Sequence, residues 1–490
     1  MRGNQVPAHT PVAPRSERIP MLPYETKAQE IFGEVCVNKG LVQQAGFGTR
    51  SIPAFVSEWI VTRNAPSGVL DDAAQERIRT FLNKHLPTRD QKEQLKAQLQ
   101  NGETLTILDH FSVEIDLKKD DAYLRIPCLD EHKAGIERHL TESYPLLLGA
   151  GVWGVGKLRY ARPDTTERKD GHIRMSEFRP MQNARLDLDL YCEYRAHFSL
   201  DEWRDLLIAS MGYNPAAYST AQQMHLLTRL VPLVQERVNM IELAPKGTGK
   251  SFVFLNLSRY ARLVSGGKVS AAVLFYNNAK NQPGLLSHYD LVIFDEAQSL
   301  SFDNPGEVIG VLKDYLESGS FARGGKQKIE TSAGLMLLAN IPLDEYRQPR
   351  HKKLFNELPS FLSETAFIDR IHAILPGWEL PRIEEGLIGR GIGFKADYFG
   401  DVLHHLRNRA GYEQIFQRYN SISGTSDRRD MIAISRLAAG FCKLLFPHGE
   451  VSRGDFTAYC IKPAVELRQR VRDQLSLLDP EYAEVQIGWE

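Results

Sequence analysis

Cysteine is scarce in this chain and shows no arrangement that would bind a metal or build a disulfide framework. The 490 residues include five cysteines, which are scattered and form no C-x-x-C pair. We therefore expect neither a zinc site nor a fold stabilised by disulfides, and we expect a reducing, cytoplasmic location.

Long apolar runs and an excess of charge are also missing. No stretch of about 20 apolar residues occurs, so we expect no membrane span, and the N-terminus has no apolar signal-peptide segment. The formal net charge of −1 gives no general attraction to nucleic acid, so DNA binding would have to come from local patches. With 42% apolar residues in a chain of 490, two or three globular domains are expected.

The stretch Met240–Phe254 is an apolar run, a glycine-rich turn and a second apolar run. Glycines let several backbone N–H groups approach one anion, and a helix that begins at Lys250 adds the positive end of its dipole. Lys250 would reach the terminal phosphates, and the Ser251 hydroxyl would bind Mg²⁺. The pattern predicts an ATP and Mg²⁺ site formed by Pro245, Lys246, Gly247, Thr248, Gly249, Lys250 and Ser251.

Two later apolar runs end in polar residues that suit the same reaction. Leu291–Asp295 reads as a buried strand, after which Asp295 would hold Mg²⁺ through water and Glu296 would polarise the attacking water. Gly334–Asn340 is a third such strand, and Asn340 would orient that water. A surface strand ending in acids, or a turn with an incidental lysine, would explain each feature alone, but the three in order predict an ATPase.

Changes in periodicity divide the chain into six segments of an α/β protein. We expect a disordered leader at 1–20, a helical domain at 21–100, a β-rich, barrel-like and DNA-binding domain of the oligonucleotide-binding type at 101–195, a helical linker at 196–237, a P-loop ATPase core at 238–385 and a C-terminal helical lid at 386–490. Within these segments, Asp130 to Leu140 is expected to be a helical insert, Ala221 to Arg237 a helix and Ala271 to Tyr276 a strand.

Two basic segments are candidates for contact with DNA. Alternation around Gly324-Gly325 predicts a β-hairpin with basic residues near its tip, namely Arg323, Lys326 and Lys328. The predicted barrel combines aromatic and basic residues suited to single strands, namely Trp153, Lys157, Arg159, Tyr160, Arg162, Arg168 and Lys169. An exposed hairpin of no consequence and a solvated strand face are the respective alternatives.

Two arginines outside the loop are candidates for acting on the terminal phosphate. Arg370 follows Asp369 and would complete the site of a neighbouring subunit as an arginine finger, with a local surface Asp–Arg pair as the alternative. Arg429 opens a helix in the C-terminal lid, from which it would point back at the nucleotide.

Several of these motifs together resemble one family. They are the Lys250 loop, Phe294-Asp-Glu296, Gly319-Ser-Phe-Ala-Arg-Gly324, Ala339-Asn-Ile341 and Phe367-Ile-Asp-Arg-Ile-His372 with Pro376-Gly-Trp378. They resemble BrxL, the Lon-related ATPases of BREX phage-defence systems, and the layout from Val37 to Trp203 is similar too.

The resemblance implies an AAA+ core close to that of minichromosome maintenance helicases, assembled as a ring around DNA. By this resemblance, Lys250 and Ser251 would bind phosphate and Mg²⁺, and Asp295 and Glu296 would act on the metal and the attacking water. Asn340 would be a sensor that orients this water, Arg370 a finger acting on the neighbouring subunit, and Arg429 a second sensor. The chain departs from the loop pattern at Ala244, where a glycine is usual. It also ends where long family members continue into a Lon-protease-like domain, so no peptidase activity is expected.

The leading functional hypothesis is an ATP-dependent ring that encircles or translocates on double-stranded DNA in phage defence. Its expected partners are DNA, further copies of itself in a hexameric or similar ring, single or stacked, and other phage-defence proteins, with no membrane. An ATP-gated DNA clamp without a motor stroke is one alternative, and a protein unfoldase that feeds a separate protease is another.

Overall fold

The structure is a computed structural model that describes residues 22–47, 52–65, 68–148, 151–163, 170–181, 186–279, 281–323, 325 and 328–489. The expected leader at 1–20 and the basic residues Arg168, Lys169 and Lys326 lie outside these ranges. The described chain has a mixed α/β architecture with a helical N-terminal region, a closed barrel and a larger unit around a parallel sheet.

The N-terminal region is mainly helical. Its elements are α1 (Pro23–Phe32), β1 (Cys36–Asn38), α2 (Lys39–Gln44), α3 (Ala54–Asn64), α4 (Asp72–His85) and α5 (Lys92–Gln100). The carboxylate of Asp71 starts α4 by accepting the Ala74 amide at 2.7 Å, which satisfies an N–H group that has no partner within the helix. On α4, Ile78 and Leu82 pack in a common apolar cluster with Ile60 of α3.

A closed five-stranded barrel follows, as the alternation in the sequence predicts. Its elements are β2 (Leu105–Asp116), β3 (Asp121–Ile126), β4 (Glu131–Ile136), α6 (Arg138–Ser143), β5 (Val152–Ala161) and β6 (His172–Pro180), in the order β2-β3-β4-β6-β5. A Cβ at Gly156 would lie 2.6 Å from Met175 Cε and 2.8 Å from Phe111 Cζ. The glycine-rich strand therefore makes room for the barrel core.

The helical insert expected from Asp130 to Leu140 is wrong for most of its length. Residues Glu131–Ile136 form β4, which pairs antiparallel with β3 and parallel with β6. Only α6 beyond it is helical. The barrel needs this strand to close, so tertiary pairing overrides the local helical preference.

Four helices connect the barrel to the sheet, namely α7 (Leu188–Arg195), α8 (Leu200–Ser210), α9 (Thr220–Thr228) and α10 (Val231–Val234). The single helix expected from Ala221 to Arg237 is interrupted after Thr228, and Arg237 has the left-handed φ of 55°. Trp203 of α8 is fully buried in the largest apolar cluster of the described chain. Residues 196–237 are therefore part of that core rather than a linker.

The larger unit is built on a five-stranded parallel sheet. Its elements are β7 (Asn239–Ala244), α11 (Lys250–Asn256), β8 (Ala261–Ser265), β9 (Lys268–Val269), α12 (Ala271–Leu274), β10 (Tyr276–Asn277), β11 (Gln282–Pro283), β12 (Leu291–Asp295), β13 (Ser301–Phe302), α13 (Pro305–Ser318), β14 (Ser320–Phe321), β15 (Ile329–Glu330), β16 (Gly334–Asn340), α14 (Thr365–Ile368) and β17 (Ala373–Pro376). The sheet order is β17-β7-β16-β12-β8. The ends of β7, β16 and β12 therefore lie side by side.

The strand expected from Ala271 to Tyr276 is wrong. Ala271–Leu274 is a short helix, and the Ser270 hydroxyl accepts the Val273 amide at its start. On the side of β12 away from β16, the neighbouring strand is instead Ala261–Ser265, whose less apolar sequence does not predict a buried strand. A serine cap decides locally between helix and strand here.

The C-terminal region is mainly helical and returns to the N-terminal segment. Its elements are β18 (Ile392–Phe394), α15 (Ala396–Arg407), α16 (Tyr412–Tyr419), β19 (Ile422–Ser423), α17 (Arg428–Leu445), α18 (Arg453–Phe456), a π-helical turn (Thr457–Ile461), α19 (Lys462–Leu478) and β20 (Gly488–Trp489). Strand β18 pairs antiparallel with β1, and the ring of Phe394 packs edge-on against Phe32 of α1 with centroids 4.8 Å apart. Within the described ranges, none of the helices has the length and apolar character needed to cross a membrane.

Candidate nucleotide-binding site

The Lys250 loop, residues 245–251, connects β7 to α11. Gly247 and Gly249 have left-handed φ values of 85° and 73°, which glycine adopts without the steric cost that a Cβ brings. The loop is partly enclosed, because Pro245 and Thr248 are buried while Lys246 is exposed. The turn chemistry read from the sequence is therefore present in the backbone.

Lys250 is held among oxygen acceptors at the centre of this arrangement. Its ammonium donates to Asn340 Oδ1 at 2.9 Å and to the Pro245 carbonyl at 3.0 Å, and the residue is 7% exposed. Burial lowers the pKa of Lys250, and Arg229 acts in the same direction, whereas the carboxylates of Glu242 and Asp295 raise it. The structure thus brings Lys250 and Asn340 together, although they are 90 residues apart.

Ser251 and Asp295 form the second close pair. The Ser251 hydroxyl donates to Asp295 Oδ2 at 2.6 Å, so a hydroxyl oxygen and a carboxylate oxygen lie together at the end of β12. Mg²⁺ prefers hard oxygen ligands and keeps several of its waters. The donor set therefore fits this ion.

Glu296 has an unusual backbone conformation. Its φ is 52°, in the left-handed region, and its amide donates to Asp295 Oδ1 at 2.9 Å. A Cβ at Gly266 would lie 3.2 Å from Glu296 Oε2, so the exposed carboxylate lies beside the end of β8. Non-glycine residues held in this region store strain and cluster at functional sites.

Gln298 is a neighbour of the site that the sequence did not point to. Its side-chain oxygen accepts a hydrogen bond from the backbone N–H of Asn340 at 3.1 Å. This bond ties the end of β16 to the turn after Glu296. No motif marks a lone glutamine in a loop. Only the fold reveals this contact.

Ala244, the departure from the loop pattern, is fully buried at the end of β7. Its neighbour on the β17 side is Gly377, where a Cβ would lie 2.5 Å from the Ala244 Cβ and 2.7 Å from Glu242 Oε1. The glycine at 377 therefore leaves the space that the Ala244 methyl group occupies.

Arg370 and Arg429 share one carboxylate. Arg370 Nε lies 3.1 Å and Arg429 Nη2 lies 2.9 Å from Glu317 Oε2, and Arg429 Nη1 also bonds Asp369 Oδ2 at 2.6 Å. The structure places Arg429 beside Arg370, and within the described residues neither side chain bonds the Lys250 loop.

The predicted hairpin is confirmed by the antiparallel pairing of β14 with β15. The Arg323 side chain, however, is turned toward the rest of the chain. Its Nε bonds Glu307 of α13 at 2.8 Å, and its Nη1 donates to the carbonyl of Tyr276 in the neighbouring β10–β11 hairpin. Arg323 therefore joins two hairpins, whereas Lys328 is exposed.

The basic residues of the barrel face largely pair with acids. Lys157 bonds Glu177 at 2.7 Å and Arg159 bonds Glu137 at 3.2 Å. Trp153 packs on the N-terminal helical cluster. These contacts favour the solvated strand face over a surface for single-stranded nucleic acid.

Comparison with known proteins decides the family. Residues 173–488 match the model of the Lon-like protease BrxL-like ATPase domain, and residues 30–160 match that of the BREX system Lon protease-like protein BrxL N-terminal region. The chain belongs to the BrxL family.

Curated relatives agree with this assignment. The chain is 31% identical over 453 residues to the Lon-like protease BrxL of Escherichia coli O9:H4 (strain HS). The aligned region covers 92% of this chain and 64% of the relative. It is 32% identical over 451 residues to the Lon-like protease BrxL of Bacillus cereus (strain H3081.97), with 91% and 65% covered. This BrxL-family chain therefore spans a little under two thirds of the length of these relatives.

A weaker match lies outside that pair. The uncharacterized protein ORF426 of Acidianus filamentous virus 1 (isolate United States/Yellowstone) is 26% identical over 210 residues, which is 38% of this chain and 49% of the viral protein. The match of residues 173–488 to a BrxL-like ATPase domain points to an ATPase-type activity that uses a nucleotide.

Proposed function

We propose that this BrxL-family protein is an AAA+ ATPase that binds MgATP at the Lys250 loop and couples its hydrolysis to binding of double-stranded DNA in phage defence. The observation that carries the proposal is the meeting of two pairs, Lys250 with Asn340 and Ser251 with Asp295, at the adjacent ends of β7, β16 and β12. Ligands of open α/β sheets bind at such strand ends.

The side chains divide the chemistry between them. Mg²⁺, when bound, neutralises phosphate charge, and Ser251 and Asp295 are the residues that would hold it. Lys250 binds the terminal phosphates, Asn340 orients the attacking water, and Glu296 accepts a proton from that water.

Arg370 and Arg429 act, in this proposal, on the nucleotide of a neighbouring subunit in a ring. Their guanidinium groups lie together on Glu317, and neither forms a hydrogen bond or ion pair with the Lys250 loop within the described residues. An arginine supplied by another subunit stabilises charge that develops on the phosphates. The C-terminal helices that carry Arg429 would then serve as the lid of an AAA+ core.

DNA binding is assigned to the two adjoining hairpins, β10–β11 and β14–β15. Arg323 links them, and Lys328, which is exposed just before β15 on the tip side of the second hairpin, leaves its charge available to a phosphate backbone. Lys326 belongs to the same sequence segment, although it lies outside the described residues.

The test is ATP hydrolysis by the purified protein with and without long double-stranded DNA. We expect DNA to stimulate turnover, Lys250→Ala to abolish it, and Lys328→Glu to weaken the stimulation without changing the basal rate. Lys462→Glu at the exposed start of α19 is the matched charge control. Stimulation that survives in Lys328→Glu at wild-type strength would remove the hairpin from the proposal, and an absence of stimulation would favour protein remodelling instead.

A further inference from the structure

A fully buried ion pair lies directly beneath the Lys250 loop. Arg229, at the end of α9, and Glu242, in the middle of β7, are both 0% exposed. The guanidinium meets the carboxylate through two bonds, Nη2 to Oε1 at 2.7 Å and Nε to Oε2 at 3.0 Å. Neither residue belongs to the loop motif.

The pair extends upward into the loop through two further bonds. Arg229 Nη2 donates to the Thr248 carbonyl at 3.2 Å, and Arg229 Nη1 donates to the Tyr213 hydroxyl at 3.0 Å. The Tyr213 hydroxyl in turn donates to the Gly249 carbonyl at 3.2 Å. Burial raises the pKa of Tyr213, so its hydroxyl keeps the proton that it donates.

These two carbonyl contacts fix the direction of two amides. In a trans peptide unit the C=O of one residue and the N–H of the next point to opposite sides. Holding the Thr248 carbonyl inward therefore turns the Gly249 N–H outward, and holding the Gly249 carbonyl inward turns the Lys250 N–H outward. A phosphate-binding loop needs its N–H groups on the side of the anion.

The pair also controls the charge near Lys250. The carboxylate of Glu242 acts on Lys250 in the direction that raises its pKa, and Arg229 acts in the opposite direction. Without Arg229, an unpaired buried carboxylate would attract the Lys250 ammonium toward β7 and away from a phosphate. Arg229 therefore leaves the charge of Lys250 free for an anionic ligand.

We propose that Arg229 and Tyr213 are positioning residues of the nucleotide site, which hold the Thr248 and Gly249 carbonyls inward so that the Gly249 and Lys250 amides face the phosphates. This inference rests on the proposed binding of ATP at the Lys250 loop. It goes beyond that proposal because it assigns a role to residues that lie outside the loop motif.

The decisive variant removes both charges together. A buried ion pair replaced by apolar residues of similar volume is often neutral for stability, so Arg229→Met/Glu242→Leu can fold while losing the bonds to the loop. We expect its dissociation constant for mant-ATP with Mg²⁺ to rise about tenfold, since the bonds from Arg229 no longer orient the amides. Arg229→Met alone should bind more weakly still, because Glu242 is left to compete for Lys250.

Matched controls separate positioning from stability. Lys39→Met/Glu58→Gln removes another buried pair, whose exposed fractions are 9% and 3%, and should lower the melting temperature without changing mant-ATP affinity. Tyr213→Phe deletes a single hydroxyl and should weaken binding about threefold. Arg229→Lys keeps the charge but loses the bidentate geometry, so its affinity for mant-ATP should lie between those of the wild type and Arg229→Met.

The outcomes are distinct. Wild-type affinity in a cooperatively folded Arg229→Met/Glu242→Leu protein would overturn the inference, and so would wild-type affinity in Tyr213→Phe if the double variant does not fold. Undiminished mant-ATP binding by Lys250→Ala would instead place the nucleotide elsewhere, which is a failure of the proposed function and not of the positioning role.

Discussion

At the scale of single residues, Ala244 shows how one substitution in a motif is accommodated. A methyl group at this point of the loop pattern has space because the facing residue is Gly377. The sequence predicted the loop, its lysine and its serine from local pattern. It did not predict the compensating glycine, because the contact joins the end of β7 to the residue after β17, more than 130 residues away in the chain.

Gly377→Ala should therefore destabilise the protein and weaken nucleotide binding. A Cβ there would lie 2.5 Å from Ala244 Cβ, and overpacking of this kind costs about 1–3 kcal/mol. Urea unfolding and mant-ATP titration measure the two effects. Adding Ala244→Gly removes the contact with the Ala244 methyl group and should restore part of the lost stability. The recovery should be incomplete because the contact with Glu242 remains. A double variant no better than Gly377→Ala would show that the Ala244 contact is not the cause.

At the scale of elements, the residue just before β17 is a histidine, His372, that cannot accept a proton without cost. His372 Nδ1 accepts the Asn239 amide at 2.9 Å, and Arg436 Nη1 lies 3.1 Å from Nε2. Burial, followed by the charges of Arg436 and Arg468, holds the pKa of His372 well below its usual value. The neutral ring therefore joins β17 to β7.

This histidine predicts a loss of stability in acid. Below the ordinary histidine pKa of 6.5 the unfolded chain binds a proton at His372 and the folded chain does not. The free energy of unfolding therefore keeps the full contribution of His372 above pH 6.5. Below that pH the contribution falls by at most about 1.4 kcal/mol for each pH unit. The melting temperature of His372→Asn should fall less between pH 8 and pH 5.5 than that of the wild type.

An exposed histidine supplies the comparison. His351 lies in a surface loop beside Glu357, and His351→Gln should keep the acid response of the wild type. An equal response in His372→Asn would assign the acid sensitivity to other groups.

Element types were predictable where one face or both faces of a segment are buried. The apolar runs Leu291–Asp295 and Gly334–Asn340 are strands as expected, since both sides of a covered parallel sheet are apolar. Ala271 to Tyr276 has the same local character, but Ser270 caps it as a helix. Glu131–Ile136 is a strand because the barrel closes through it. Local pattern cannot distinguish such cases.

At the scale of the whole molecule, the partnership of Arg370 and Arg429 predicts cooperation between subunits. Lys250→Ala and Arg370→Ala should each be inactive alone. Coexpressed in one assembly, they should recover about a quarter of the wild-type turnover, because one interface in four pairs an intact loop with an intact arginine. ATP hydrolysis by doubly tagged, copurified assemblies measures this recovery.

Coexpression of Arg370→Ala with Lys250→Ala/Arg370→Ala is the control and should yield no recovery, because no interface then contains the arginine. An absence of recovery in the first mixture would show that Arg370 does not act across an interface.

The pairing of β1 with β18 sets where the molecule can be divided. Helix α1 and strand β1 precede the barrel in the sequence and β18 follows it, yet α1 and β1 cover Phe394 and one edge of β18. A fragment that began after the barrel would expose aromatic surface and an open strand edge, both of which promote aggregation. The ATPase half therefore cannot be isolated by a single cut, and a soluble fragment would need residues 23–38 supplied as a separate peptide or joined through a short linker.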